Sequence, residues 1–253
     1  MSAPLSGRRV VVTRPIGQAQ ELVVRLTALG AEVMELPLTR IVPIAESTQI
    51  TNALHDLARY HVIVVTSANG AGCFADHLEG GKVRPAETTT IVAVGHATAQ
   101  VLTARGLRVD RVPAQATGAA IVAALSATGL SGHRLLLPRA RAGRPELPDG
   151  LRAAGAVVDD VAFYDTVRCE VTAQQAAAAS GADDVIVTAP SGVEGLAALV
   201  PDIAEFGPRL ITIGPTTSAA ARRLGFTVAA ESTEQSTAGL VAAVRGLRPA
   251  PPT

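Results

Sequence analysis

The stretch Leu210 to Gly225, LITIGPTTSAAARRLG, repeats the plan of Ile91 to Gly106, IVAVGHATAQVLTARG. In both, a β-branched apolar run ends in glycine, a threonine follows after a short gap, and an alanine-rich segment closes on a second glycine. That order predicts a strand, a tight turn, a helix and a helix stop. Gly106 and Gly225 are expected in the left-handed conformation that ends a helix, and Thr98 and Thr217 as caps at its start.

Two further echoes extend the repeat. At one constant offset, the one that carries Arg9 onto Arg134, Arg14 meets Arg139, Leu22 meets Leu147, Leu26 meets Leu151, and Gly30-Ala31 meets Gly155-Ala156. VIVVTSANG at Val62 to Gly70 likewise matches DVIVTAPSG at Asp184 to Gly192. So few copies at so long a period point to two similar α/β lobes, because solenoid units recur every 20–50 residues or so. The 253 residues suffice for two small domains.

Composition excludes several classes. The formal net charge is zero, which gives no basic face for nucleic acid. No unbroken apolar run reaches the roughly 18 residues of a membrane helix, and MSAPLSGRR has no apolar segment like that of a secretory signal. Cys73 and Cys169 are too few for a disulfide framework or zinc site, and the five histidines have no ligand spacing. We expect a soluble, cytoplasmic protein with no metal, nucleic-acid or membrane partner.

Read in order, strands fall at Arg9–Thr13, Glu32–Leu36, Val62–Thr66, Ile91–Val94, Arg108–Val112, Arg134–Leu137, around Val157, at Val185–Thr188, Leu210–Ile213 and near Val228. Helices are expected between them, among them Thr48–Ala58, Gly70–Leu78, Thr98–Ala104 and Gly192–Leu199. Strands alternating with helices at this spacing imply parallel sheets covered on both faces. Leu38–Val42, bracketed by prolines, and VAFYDTV at Val161–Val167 read as extended linkers. The proline-rich tail RPAPPT reads as disordered.

In an open parallel sheet the strand-to-helix turns lie at the carboxyl edge, where helix N-termini meet anions. Here those turns carry Thr13-Arg14, Thr66-Ser67, Thr98, Arg139, Ser191 and Thr216-Thr217: hydroxyls and arginines without an acid. Such a set suits an uncharged or carboxylated ligand better than a metal. Each has a plainer reading as well. The hydroxyls are also what helix caps require, the arginines also suit a solvated surface, Tyr164 suits linker packing, and Cys73 suits a helix core. Gly70-Ala71-Gly72-Cys73-Phe74-Ala75 fits the dinucleotide pattern after a strand. No acid ends the next strand, however, and the matching turn at Pro190 lacks the pattern.

VVVTRP at Val10 to Pro15, VTSANG, VGHAT, Phe163-Tyr164-Asp165-Thr166, VTAPSGV and IGPTT stand in an order and spacing that resembles the uroporphyrinogen-III synthase family across nearly the whole chain. The resemblance implies two flavodoxin-like lobes joined by a two-stranded β linker. One is discontinuous, 1–37 with 168–253; the other is continuous, 44–161; segments 38–43 and 162–167 form the linker. It also implies a cofactor-free lyase that cyclises hydroxymethylbilane, a linear tetrapyrrole with eight carboxylates, inverting the last ring and losing water. Carried over by position, Tyr164 and Thr217 become the catalytic candidates. Arg14, Thr66, Ser67, Thr98, Arg139, Ser191 and Thr216 become substrate contacts. Ala140-Arg141 departs from the glycine the family often has near that turn. Two other classes share these features: a non-catalytic two-lobed binding module, and a nucleotide-dependent enzyme built on Gly70–Ala75.

Overall fold

A computed structural model of the protein describes residues 3–247 apart from 116, 128 and 201. In chain order the elements begin with β1 (Arg9–Val12), α1 (Gln20–Ala28), β2 (Glu32–Glu35), β3 (Thr39–Pro43), α2 (Thr48–His55), β4 (Val62–Val65), α3 (Ala68–Gly81), β5 (Thr90–Ala93), α4 (His96–Ala104) and α5 (Gly118–Ser126). They continue with β6 (Arg134–Ala140), α6 (Glu146–Ala153), β7 (Val157–Arg168), α7 (Ala173–Ser180), β8 (Asp184–Val187), α8 (Pro190–Ala197), β9 (Arg209–Thr212), α9 (Pro215–Arg223), β10 (Val228–Glu231) and α10 (Thr237–Gly246). Two compact units result, a split one of Met1–Arg40 with Val167–Thr253 and a middle one of Ile41–Thr166.

The split unit's sheet has the order β10-β9-β8-β1-β2, with every named pairing parallel. Renumbered within the unit this is 2-1-3-4-5, the flavodoxin-like order. The other sheet runs β3-β7-β6-β4-β5, and its β4–β5, β4–β6 and β6–β7 pairs are parallel. All four residues of β4 and of β8 are buried, as the apolar runs VIVV in β4 and VIV after Asp184 in β8 require when helices cover both faces. Each sheet accordingly carries two cores. Phe74, Leu78 and Phe163 anchor one side of the middle sheet and Ile121, Leu135 and Leu151 the other. In the split unit, Val185, Leu196 and Phe226 lie opposite Leu22, Leu26 and Leu240.

Several expectations are corrected. Arg108–Val112 is no strand; one bridge, Val92 to Arg111, is all that forms. The Asp110 carboxylate accepts the Ile91 N–H at 2.8 Å, so a side chain takes over a ladder position. Val157 and VAFYDTV, expected as separate pieces, are one strand, β7. The helix expected over Thr48–Ala58 stops at His55, and a 3₁₀ turn at Leu57–Arg59 follows Asp56. Gly106 and Gly225 do take positive φ, 71° and 94°, directly after α4 and α9. The tail expected to be disordered lies outside the described residues.

Candidate active site

Four helices begin at the carboxyl ends of strands in the two repeats, and their first turns differ from the expected caps. Only Ser67 is an N-cap, its Oγ accepting the Gly70 N–H at 3.0 Å. At the matching turn the cap position falls to Ala189, which places Ser191 inside the first turn of α8. Helices α4 and α9 start directly after Gly95 and Gly214, so Thr98 and Thr217 are third in their helices and turned inward, 5% and 3% exposed. The glycine itself serves as the cap residue, and the threonine three positions on is buried within the first turn.

A cavity of about 470 Å³ lies in the middle unit, lined by Thr66 and Val94 after β4 and β5, by the start of α5 at Gly118-Ala119, by Arg139, Ala140, Gly143 and Arg144, by Glu146 and Leu147 of α6, and by Tyr164. Residues of the first turns of α5 and α6 therefore border a common space, and helix N-termini favour anions. Thr66, Arg139 and Tyr164 were expected here, and Ser67 joins them through Tyr164.

Tyr164, on β7, is buried in the apolar cluster with Phe74 and Phe163, yet its phenol oxygen lies 2.9 Å from Ser67 Oγ. Its neighbour is Gly70, whose added Cβ would lie 3.2 Å from the Pro138 carbonyl and 3.6 Å from the Tyr164 ring. Gly70 is thus there to let α3 approach β6 and Tyr164 closely. It sits within α3 rather than in a phosphate-cradling loop, which removes the structural basis of the dinucleotide reading. Two hydroxyls joined by one hydrogen bond hold two hydrogens. One lies between them, and the other is free for a ligand whichever group donates.

Burial raises the pKa of Tyr164, and the Ser67 hydrogen bond offsets part of the rise. Tyr60 is raised too, by burial and by donating to Asp159 at 2.7 Å. These are the chain's two tyrosines, and it has no tryptophan. A pH titration of tyrosinate absorbance on the native protein should therefore stay flat through about pH 10, where free phenols ionise. Unfolded phenols ionise there and folded ones above it. This stabilisation is complete below about pH 10 and is lost as pH rises through the native pKa values. A native absorbance rise centred near pH 10 would contradict the buried placement.

Arg139 is 9% exposed, and its fork is already occupied: Nε donates to Asp160 Oδ1 at 2.5 Å and Nη2 to Oδ2 at 2.6 Å, while Nη1 donates to the Arg144 carbonyl at 2.5 Å. Asp160 and Glu146 are the residues that sequence reasoning missed. The signal was an acid pair, Asp159-Asp160, between the apolar residues Val157-Val158 and Val161-Ala162 of β7, and a glutamate opening α6.

The remaining expected residues lie in the split unit. Thr13 is buried and donates to the Ile186 carbonyl at 2.8 Å. Arg14 follows it, half-buried, its pKa lowered by desolvation, with no ion-pair partner among the described residues. Ser191 is half-buried and Thr216 exposed. Among the described residues, no group of three or more His, Cys, Asp or Glu is placed to hold a metal. No helix among the described residues is long and apolar enough to cross a membrane.

Comparison with known proteins bears on this arrangement. A family model described as uroporphyrinogen-III synthase HemD matches residues 20–242. A porphyrin biosynthesis protein HemD of Ruminiclostridium josui is 29% identical over 243 residues, covering 93% of this chain and 48% of that protein. A uroporphyrinogen-III synthase of Synechococcus elongatus is 30% identical over 168 residues, covering 66% of this chain and 63% of its own length. The chain thus spans about half to two thirds of these two relatives. A mutant uroporphyrinogen III synthase of Thermus thermophilus superposes with a TM-score of 0.69 at 14% identity, covering 95% of this chain and 98% of the other. The synthetase of Helicobacter pylori gives 0.63 at 15%, covering 95% and 100%. At that identity the likeness is one of fold, two lobes with mostly parallel sheets.

Proposed function

We propose, since the chain belongs to the uroporphyrinogen-III synthase family, that it cyclises hydroxymethylbilane with inversion of the last pyrrole ring and loss of water. The observation that carries the chemistry is the Tyr164–Ser67 hydroxyl pair at the wall of a cavity that two helix starts make favourable to carboxylates.

The demands of the reaction are modest. The electron-rich terminal pyrrole pushes out hydroxide as the carbon–oxygen bond breaks, and the leaving oxygen needs a proton to depart as water. Tyr164 or its partner Ser67 supplies that proton, a general-acid step. What remains is geometry. The pyrrole at the other end of the chain must turn so that its already substituted α-carbon attacks the cationic methylene, giving the spiro intermediate; that carbon's bond to its original bridge then breaks, the bridge bonds to the ring's free α-carbon, and that carbon loses its proton. Holding a floppy chain in the required pose is a proximity effect. Thr66, at the same cavity wall, orients the substrate. Arg14, Thr98, Ser191, Thr216 and Thr217 are proposed as further contacts, Arg14 to a carboxylate because a half-buried guanidinium without an ion pair among the described residues favours an anion. Segments 38–43 and 162–167 are proposed as the linker between lobes, and the active species as a monomer.

The test is product isomer analysis with hydroxymethylbilane after exhaustive chelation. Formation of the III isomer without added metal or cofactor is expected, because the donors at hand are hydroxyls and a guanidinium. Activity that returns only with a metal, or product limited to the spontaneous I isomer, would overturn the proposal.

A further inference from the structure

Under the internal repeat Arg139 stands where Arg14 stands, at the end of a strand, and a substrate carboxylate is the partner such a position suggests. Its surroundings assign it another task. Asp160 already takes Nε and Nη2, Nη1 holds the Arg144 carbonyl, and the residue is 9% exposed. A substrate carboxylate would have to displace Asp160, a like charge, from a nearly closed site.

The loop lies directly on this guanidinium. A Cβ added to Gly143 would stand 2.7 Å from Arg139 Cζ and Nη1, so a side chain there would have to push the guanidinium from its place or move the loop. The loop's other arginine, Arg141, donates from Nε to both oxygens of Asp165 at 3.1 Å. The backbone from Arg139 to Arg144 is therefore pinned by two arginine–aspartate pairs and one carbonyl. Arg144 follows, exposed, lining the cavity and without an ion-pair partner among the described residues, immediately before the turn that opens α6.

We propose that Arg139 is a positioning residue, fixed by Asp160, and that Arg144, carried by the loop Arg139 holds, is the guanidinium that meets a substrate carboxylate. The proposal deepens the synthase reading of this cavity and rests on it. Glu146 also lines the cavity, but it sits in the first turn of α6, where helix N–H groups offset its charge. Arg144 is then the cation of the cavity wall that is left for the ligand.

A double-mutant cycle on binding tests it, with uroporphyrin III as the octacarboxylate probe and its octamethyl ester as the uncharged one. The wild type should prefer the octacarboxylate. Arg144→Gln should weaken octacarboxylate binding by about tenfold, the loss expected for one charge-assisted contact, and leave ester binding unchanged. Asp160→Asn should produce a similar loss, and combining the two should weaken binding no further than either alone, because both act through the same guanidinium. A direct role for Arg139 predicts the reverse, since Asp160→Asn would release its fork and hold or tighten octacarboxylate binding. Gly143→Ala, which alters no charge, should reproduce the loss and replaces Asp160→Asn in the cycle if that variant does not fold. Wild-type affinity in Arg144→Gln, or wild-type or tighter affinity in Asp160→Asn, would overturn the assignment while leaving the synthase reading intact. A wild type that does not distinguish acid from ester would remove both.

Discussion

Replacing Tyr164 by phenylalanine should lower turnover of hydroxymethylbilane by a factor on the order of 10²–10⁴ while leaving the protein nearly as stable. The ring would stay in its place against Phe74 and Phe163, so the apolar burial is unchanged. The hydrogen bond to Ser67 would be lost, at a cost of about 1 kcal/mol. Ser67 would still cap α3 through the Gly70 N–H. What disappears is the phenolic proton next to the cavity. Burial makes that phenol a weaker acid than free tyrosine, which keeps it protonated at neutral pH, and hydroxide leaving carbon is a strong enough base to take its proton. Thr98→Ala and Thr217→Ala should cost less turnover. Their side chains are buried third residues of helices rather than caps, and neither borders the cavity that Tyr164 lines. Turnover and melting temperature measured on one preparation decide the matter. A phenylalanine variant that turns over at the wild-type rate would reduce Tyr164 to a packing residue.

Asp184→Asn should do the opposite, destabilising strongly and sparing the chemistry. Asp184 opens β8, the central strand between β1 and β9, and is completely buried. Its carboxylate accepts from Arg8 through Nε at 3.0 Å and through Nη2, and from Arg209 Nε at 2.9 Å. Arg8 in turn donates to the Val244 carbonyl at 2.9 Å and the Leu247 carbonyl at 3.1 Å, holding the end of α10 against the sheet. Removing the anion leaves buried guanidinium charge uncompensated, which costs about 3–5 kcal/mol. For a protein of this size that is roughly 6–20 °C in melting temperature. The strand end is the one away from the turn that carries Ser191, so turnover per folded molecule at low temperature should be kept. A melting temperature within about 2 °C of the wild type would mean that the network contributes little net stability.

How much of this was legible in the sequence follows from the physics of each part. The repeat revealed the α/β plan and most strands, because a buried parallel strand must be an apolar run and a helix stop favours glycine. Helix starts were misplaced by two residues at α4 and α9, since Gly95 and Gly214 leave no side chain to mark the cap and the threonines were the nearest polar signal. The Arg108–Val112 strand was wrong because periodicity cannot see a side chain, Asp110, competing for a ladder position. At the site, Thr66 and Ser67 were marked by their place at a strand-to-helix turn, whereas Tyr164 came only from the family resemblance, since an extended segment by itself suggests no more than packing. Asp160 was not marked, because its partner Arg139 is reached through strand register rather than along the chain. Asp184 carried a usable hint: it stands where the other copy of the repeat has Val62, and a charge replacing a core valine needs buried partners.

The central claim is that this chain directs ring inversion, and the ratio of product isomers tests it most directly. Hydroxymethylbilane is incubated with increasing protein, the cyclised products are oxidised to porphyrins, and the III and I isomers are separated and quantified. The account predicts that the III isomer rises with protein concentration until it displaces the spontaneous I isomer, and that Tyr164→Phe shifts the ratio back toward I. A ratio that stays at the uncatalysed value at every protein concentration would contradict it.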